Sequence, residues 1–228
     1  MNNRKKLTDR RLMKEKSFWD KIASNYDRPS RLDAAYRLSV QRCLNLLEGK
    51  ERVIEMACGT GTISIGIAEK AASVIGIDAS ANMINAAKNK LAQTTADNIS
   101  FEVGDGYHTR FSGNSFDVVL LFNALHIVKE PDRFLAEAYR ILKADGIIVT
   151  ATDCYSEKVP FTKKIYTLVP GFMKKLGIIS YLSSYRKADV EKLIEKNNFK
   201  ILSTENLFEA PVNYYILAKK VSNEIEYR

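Results

Sequence analysis

The chain has 228 residues, of which 46% are hydrophobic and 27% charged, and this composition excludes a disordered chain, a fibrous repeat and a disulfide-rich miniprotein. Its formal net charge is +8, with the basic excess in residues 1–21 (+5) and 155–200 (+6). A positive surface attracts anions, so nucleic acid, anionic lipid and acidic small molecules are all open as partners, beside a purely solubilising role.

The cysteines indicate a reduced compartment and no metal site. Cys43, Cys58 and Cys154 are too scattered for a disulfide framework or a zinc pattern, and no Cys or His pair has ligand spacing. No apolar run reaches the ~18 residues of a transmembrane helix, and the charged residues 1–16 lack the apolar stretch of a secretory signal. We therefore expect a cytoplasmic protein.

The N-terminal part of the sequence has apolar residues at helical spacing, and a pattern of alternating strands and helices follows. Residues 17–48 have apolar positions at helical spacing, broken near Pro29 and ended by Gly49. Beyond them we predict strands at 52–57, 73–77, 99–103, 116–122 and 146–152, and helices at 62–72, 80–91 and 131–142. A helix at 187–197 and strands at 199–205 and 212–219 end the pattern.

This alternation is typical of an α/β fold of the Rossmann-like, doubly wound kind. We predict a mostly parallel seven-stranded sheet that ends in an antiparallel C-terminal hairpin. The run 116–122 is apolar throughout, as a strand covered on both faces should be.

The strongest local signal is a glycine turn between a strand and a helix, at Gly59-Thr60-Gly61. Glycine lets a ligand approach the main chain closely, and the following helix offers free N–H groups to an anion. Asp78 follows Gly59 by 19 residues, the spacing at which a carboxylate meets ribose hydroxyls. The sequence thus predicts a nucleoside site. Ser64 stands where a dinucleotide fingerprint has Gly or Ala, which weakens an NAD-dependent oxidoreductase as the alternative without removing it.

The motifs of residues 50–153 resemble, in order and spacing, those of class I S-adenosylmethionine-dependent methyltransferases. The matching segments are 55–61, 75–80, 104–106, 115–119, 123–126 and 142–146. Residues 19–27 also resemble the helix that covers the cofactor in the small-molecule branch, which includes quinone-pathway and phospholipid methyltransferases. The resemblance implies methyl transfer from S-adenosylmethionine to a small molecule.

The resemblance also implies roles for individual residues. Those expected to contact the cofactor are Glu55, Ala57, Cys58, Gly59, Gly61, Asp78, Ala79, Met83, Asp105, Gly106 and Asn123. Ala57 departs from the family, which usually has glycine there, and Cys58 is interpreted as a small filler and not as a nucleophile. Two residues are candidates for catalysis: His126, just past the fourth strand, and Tyr26, on the covering helix.

We predict an N-terminal helical arm at 1–48 and a methyltransferase domain at 49–228, with 155–185 as an inserted lid over the acceptor. The apolar residues and lysines of this lid indicate a partly apolar acceptor that is anionic or lipid-like, and peripheral contact with an anionic membrane is one interpretation. An RNA methyltransferase is a second alternative, supported only by the basic charge, because no RNA-binding module is evident. Neither the acceptor atom nor the oligomeric state follows from the sequence.

Overall fold

The computed structural model of the chain describes residues 17–27, 32–159, 168 and 181–221. Residues 1–16 of the predicted arm and most of the predicted lid lie outside these residues. The boundaries of the arm, the domain and the lid therefore stay predictions.

Within the described residues, seven strands form one sheet in the order β3-β2-β1-β4-β5-β7-β6. Strands β1 to β5 pair in parallel, and β7 runs antiparallel to both β5 and β6. The strands are β1 (Arg52–Met56), β2 (Ser73–Asp78), β3 (Ile99–Val103), β4 (Phe116–Phe122), β5 (Leu142–Cys154), β6 (Phe199–Glu209) and β7 (Val212–Lys220). The predicted Rossmann-like fold and its antiparallel C-terminal hairpin are confirmed.

Helices cover both faces of this sheet. They are α1 (residues 17–22), α2 (Leu32–Leu46), α3 (Thr62–Ile67), α4 (Ala81–Leu91), α5 (Pro131–Ile141) and α6 (Lys187–Lys196). One buried apolar cluster includes residues of α5 and α6, and the other includes residues of α2, α3 and α4. Val53 and Ile54, consecutive on β1, belong to opposite clusters, because successive strand side chains point to opposite faces.

The boundaries differ from the prediction where local geometry overrides the pattern. The helix predicted for 62–72 is interrupted, since α3 ends at Ile67 and a 3₁₀ turn continues it over Ala68–Lys70. β5 begins at Leu142, four residues early, because Leu142 pairs with Phe116 ahead of a register shift. β6 extends to Glu209, and two irregularities in its pairing with β7 accommodate the extra length.

The strand order reverses direction between β1 and β4, the two neighbours at the centre of the sheet. The connection after β1 passes to one side of the sheet, and the connection after β4 passes to the other. In open α/β sheets a crevice forms at this point, outside the carboxyl ends of the strands. The predicted cofactor residues follow the ends of β1, β2, β3 and β4, so the topology directs them to one place.

Candidate active site

The turn after β1 takes a backbone path that glycine favours. Ala57, Gly59 and Gly61 have φ angles of 57°, 53° and 72°, all in the left-handed region. A Cβ on Gly61 would lie 2.4 Å from Cζ of Phe101, a separation that real side chains do not tolerate. Gly61 is therefore required by packing, while Ala57 carries a side chain in a conformation that disfavours one.

Asp78 ends β2 and holds the glycine turn. Its Oδ2 accepts a hydrogen bond from the backbone N–H of Gly59 at 3.0 Å, and its Oδ1 accepts one from the N–H of Ser80 at 2.8 Å. Burial raises the pKa of Asp78, and these two backbone hydrogen bonds oppose the shift. Each carboxylate oxygen keeps a lone pair, so Asp78 can still accept from two ribose hydroxyls.

A crevice opens beside this turn. The structure brings eight of the predicted cofactor residues to its wall: Ala57, Gly59, Asp78, Ala79, Met83, Asp105, Gly106 and Asn123. Tyr107 and Phe134, whose rings meet edge to face with centroids 5.4 Å apart, add an apolar wall that suits a purine.

A second, smaller cavity adjoins the first. Tyr26, Ala57, Gly59 and Phe122 line both cavities. The second cavity adds Glu55 and Cys58 from the predicted set, whereas Gly61 lines neither and acts through the turn.

Glu55 lies on the central strand β1 and is 2% exposed. Its Oε2 accepts from the backbone N–H of Ser64 at 3.0 Å and from the Ser64 hydroxyl at 2.5 Å. Burial raises the pKa of Glu55 to about 8, against the lowering effect of the Ser64 hydrogen bonds. Without a cation beside it, Glu55 is thus predominantly protonated at neutral pH.

Two acids dock the segment 17–27 over the crevice. The Ser80 hydroxyl donates to Oδ1 of Asp20 at 2.5 Å, at the N-terminus of α4. Oδ2 of Asp27 lies 2.9 Å from Nζ of Lys90. Between these two anchors Tyr26 lies against the glycine turn, so that a Cβ on Gly59 would be 3.8 Å from its ring. Tyr26 therefore lies where the resemblance implies a covering residue.

His126 is placed differently from Tyr26. It is 6% exposed, lines neither cavity and packs edge to face on Tyr155 with ring centroids 5.7 Å apart. Burial lowers the pKa of His126, and Nδ1 has no hydrogen-bond partner within the described part of the chain. Its catalytic role stays a prediction.

Three site residues have no signal in the sequence. Tyr36 on α2 lines the second cavity, and its hydroxyl lies 3.2 Å from that of Tyr26. Phe134 on α5 lines the crevice, and Asn213 on β7 hydrogen-bonds Asn123 at 2.8 Å. An aromatic residue on an amphipathic helix looks like core, and no local pattern reveals a contact across 90 residues.

The residues present fit an adenosyl cofactor. The Asp78 carboxylate lies beside the glycine turn, and apolar and aromatic side chains line the crevice. The buried Glu55 lines the second cavity. Across 17–27, 32–159 and 181–221, no group of three His, Cys, Asp or Glu residues could hold a metal ion, and no helix is long and apolar enough to span a bilayer. This fold and site define the class I methyltransferase architecture.

Comparison with known proteins agrees with this class. The profile of the family described as "Methyltransferase domain" matches residues 47–224. A demethylmenaquinone methyltransferase of Clavibacter sepedonicus is 32% identical over 179 residues, which cover 75% of this chain and 70% of that protein. One of Lactobacillus johnsonii is 27% identical over 223 residues, covering 87% and 91%. A solved structure of a SAM-dependent methyltransferase from Aquifex aeolicus has a TM-score of 0.67 at 19% identity, covering 89% and 98%. The chain therefore belongs to the methyltransferase domain family, and its cofactor is S-adenosylmethionine.

Proposed function

We propose that this methyltransferase methylates a quinone-like aromatic small molecule, a reduced naphthoquinone of the demethylmenaquinone type. The observation that carries the proposal is the 32% identity over 179 residues to a demethylmenaquinone methyltransferase. The aromatic and apolar wall of the crevice supports it, because a flat apolar acceptor packs well against such a wall.

Binding of the cofactor is assigned to the residues around the glycine turn. Asp78 accepts hydrogen bonds from the ribose hydroxyls, and Met83 with Phe134 encloses the adenine ring. Asp105, at the rim, accepts from the adenine amine. Glu55, in the second cavity, faces the amino group of the methionine part. S-adenosylmethionine itself supplies a methyl group already activated on a sulfonium, so the protein mainly has to position and desolvate.

Transfer is proposed as an in-line displacement. When bound, S-adenosylmethionine would supply its methyl group to a ring carbon of the ionised quinol, with the new carbon–carbon bond forming as the carbon–sulfur bond breaks and the sulfur keeping the electron pair. The ring carbon would then pass its proton to a base or to water, which restores aromaticity. Tyr26 excludes water over the reacting atoms and Asn123 stands at the end of β4 beside them. Aligned approach at ~3–3.5 Å contributes several kcal/mol to lowering the barrier.

The quinol must lose a proton before or during transfer. A general base contributes about 10²–10⁴-fold when the acceptor is protonated. We propose that His126 serves the acceptor side through a relay, because it lies just past β4 and lines neither cavity. Burial lowers its pKa and disfavours the protonated ring, so the role requires the relay to pass the proton on.

The test is a product assay. The full-length chain is incubated with methyl-labelled S-adenosylmethionine and a reduced demethylmenaquinone that carries a short prenyl tail. The proposal predicts label in the corresponding methylated quinone, and no label with the acceptor in its oxidised form. Release of S-adenosylhomocysteine only with another fraction of a metabolite extract would assign a different acceptor and overturn the quinone proposal.

A lipid-like acceptor would be met at a membrane, so we also propose peripheral contact with anionic lipid through the basic residues of 155–200. The described part of this segment includes Arg186, Lys187, Lys192, Lys196 and Lys200. Vesicle flotation tests this. Binding to phosphatidylglycerol vesicles that declines with salt is expected, and equal behaviour with neutral vesicles contradicts it.

A further inference from the structure

A buried polar chain crosses the carboxyl edge of the sheet beside the cofactor crevice. Asn213, at the start of β7, is opposite Asp153 of β5 in the antiparallel pairing. Its Nδ2 donates to Oδ1 of Asp153 and to Oδ1 of Asn123, both at 2.8 Å. Asn213 is 1% exposed and Asp153 5%. Buried polar groups of this kind are costly unless they are satisfied, so the arrangement constrains all three side chains.

This hydrogen-bonded row of side chains, the polar chain, fixes how Asn123 is oriented. An amide nitrogen carries two hydrogens, and both hydrogens of Asn213 are used. The oxygen of Asn123 therefore faces Asn213, and its amino group is turned the other way. Asn123 has a left-handed φ of 53°, which sets its side chain at the end of β4 towards the crevice.

At Asn123 this hydrogen-bonded chain reaches the crevice, because Asn123 lines the crevice wall together with Tyr26 and Phe122. At the opposite end the chain is anchored, because the Tyr155 hydroxyl donates to Oδ2 of Asp153 at 2.8 Å.

We propose that Asn213 and Asp153 are positioning residues for the cofactor site, and that they act by fixing the side chain of Asn123 on the crevice wall. Neither residue lines a cavity, so neither touches the cofactor directly. The proposal needs the cofactor and is independent of the acceptor, so it stands or falls separately from the quinone proposal.

The test is a double-mutant cycle on the affinity for S-adenosylhomocysteine, measured by isothermal titration calorimetry on the full chain. Asn123→Gly removes the side chain on the crevice wall at a position with a left-handed φ, and Asn213→Ser removes the two-hydrogen donor. A neutral hydrogen bond corresponds to ~3–10-fold in affinity, so each single variant is expected to weaken binding by about that factor. Because both act along one chain, the double variant is expected to bind about as weakly as the weaker single variant.

Asp153 supplies a second, conservative comparison. Asp153→Asn keeps an oxygen that accepts from Asn213 and is expected to bind within about twofold of the wild type. Asp153→Leu removes the acceptor and is expected to match Asn213→Ser. Tyr139→Phe, which loses a hydroxyl outside the chain, is the matched control and should leave the affinity unchanged.

Two results would overturn the proposal. If the effects of Asn123→Gly and Asn213→Ser multiply in the double variant, the two residues act independently. If the variants lower the thermal unfolding midpoint while the affinity for S-adenosylhomocysteine stays at the wild-type value, the polar chain only stabilises the fold.

Discussion

Asp78 is the residue on which nucleoside recognition depends most directly. Its carboxylate holds the glycine turn through Gly59 and faces the crevice. Asp78→Asn turns one acceptor oxygen into a donor and removes the charge. Hydrogen bonds to charged groups contribute ~1.5–3 kcal/mol, so the dissociation constant of S-adenosylhomocysteine should rise about 10- to 100-fold, measured by calorimetry. Asp97→Asn, at an exposed position, is the control, and equal affinities of the two variants would contradict the ribose role.

Glu55 gives the site a pH dependence whose sign follows from its raised pKa. Burial raises the pKa to about 8, whereas an unfolded glutamate has a pKa near 4.5. Between pH 4.5 and 8 the folded protein therefore keeps a proton on Glu55 that the unfolded chain has lost. The free energy of unfolding should decline by up to a few kcal/mol as pH rises from about 4.5 to 8. Urea unfolding without cofactor checks this.

The isosteric variant Glu55→Gln has no carboxyl to titrate, so its stability should lack that decline. Binding of S-adenosylhomocysteine near pH 7 should also release protons from the wild type and not from the variant, because the ligand's ammonium favours the ionised carboxylate. Calorimetry in buffers of different ionisation enthalpy measures the release. Identical proton release by both proteins would show that the ammonium lies away from Glu55.

At the residue scale, the sequence predicts what depends on local spacing and misses what depends on distant contact. Gly59, Asp78 and Asp105 follow strand ends, so their common location can be inferred from the order of elements. Tyr36 and Asn213 reach the site only through tertiary packing, which a single sequence does not encode as a pattern.

At the element scale, the segment 17–27 borders the crevice through Trp19 and Tyr26, so we expect its motion to affect how fast the cofactor leaves. Its ion pair from Asp27 to Lys90 is partly exposed, so it holds the segment only moderately. Asp27→Asn should raise the dissociation rate of S-adenosylhomocysteine about three- to fivefold in stopped-flow displacement. Asp132→Asn breaks a more exposed ion pair, with Lys196 on α6, and is the control. Equal rates in the two variants would show that Asp27 does not restrain the segment.

The loop 104–115 is held to α5 by a buried acid. Glu137 accepts from the backbone N–H of Thr109 at 2.7 Å and from Arg140 at 2.7 Å. Burial alone would raise the pKa of Glu137, but the hydrogen bonds from Arg140 and Thr109 outweigh it and lower the pKa to about 2. A lowered pKa contributes stability that is present above pH 4.5 and lost as pH falls through about 2.

Glu137→Gln should therefore lower the free energy of unfolding by about 1–3 kcal/mol at pH 7, measured by urea denaturation. The difference from the wild type should shrink as pH falls towards 2. Glu102→Gln, which loses a surface ion pair with Arg110, should cost less than 1 kcal/mol. A Glu137→Gln penalty that does not change with pH would contradict the role given to the carboxylate.

The order and type of the elements were predictable, and their ends were not. Alternating apolar runs and turn residues were enough to predict each strand of the sheet and the terminal hairpin. The interruption after α3 and the irregular pairing of β6 depend on how neighbouring elements pack. The close approach of Gly66 on α3 to Val40 on α2 is an example.

At the scale of the whole molecule, the fold and the glycine turn specify a cofactor and leave the acceptor to be tested. One sheet architecture supports many chemistries, because the acceptor is recognised by segments added around it. The acceptor proposal is supported by the relatives and by the crevice wall.

The central claim is that an adenosyl group binds between the glycine turn and Asp78. The most direct measurement is an experimental structure of the chain with S-adenosylhomocysteine. The account predicts both ribose hydroxyls within hydrogen-bond distance of the Asp78 carboxylate and the adenine ring beside Asp105 and Phe134. A ligand bound elsewhere, or a crevice filled by the protein's own side chains in that complex, would contradict it.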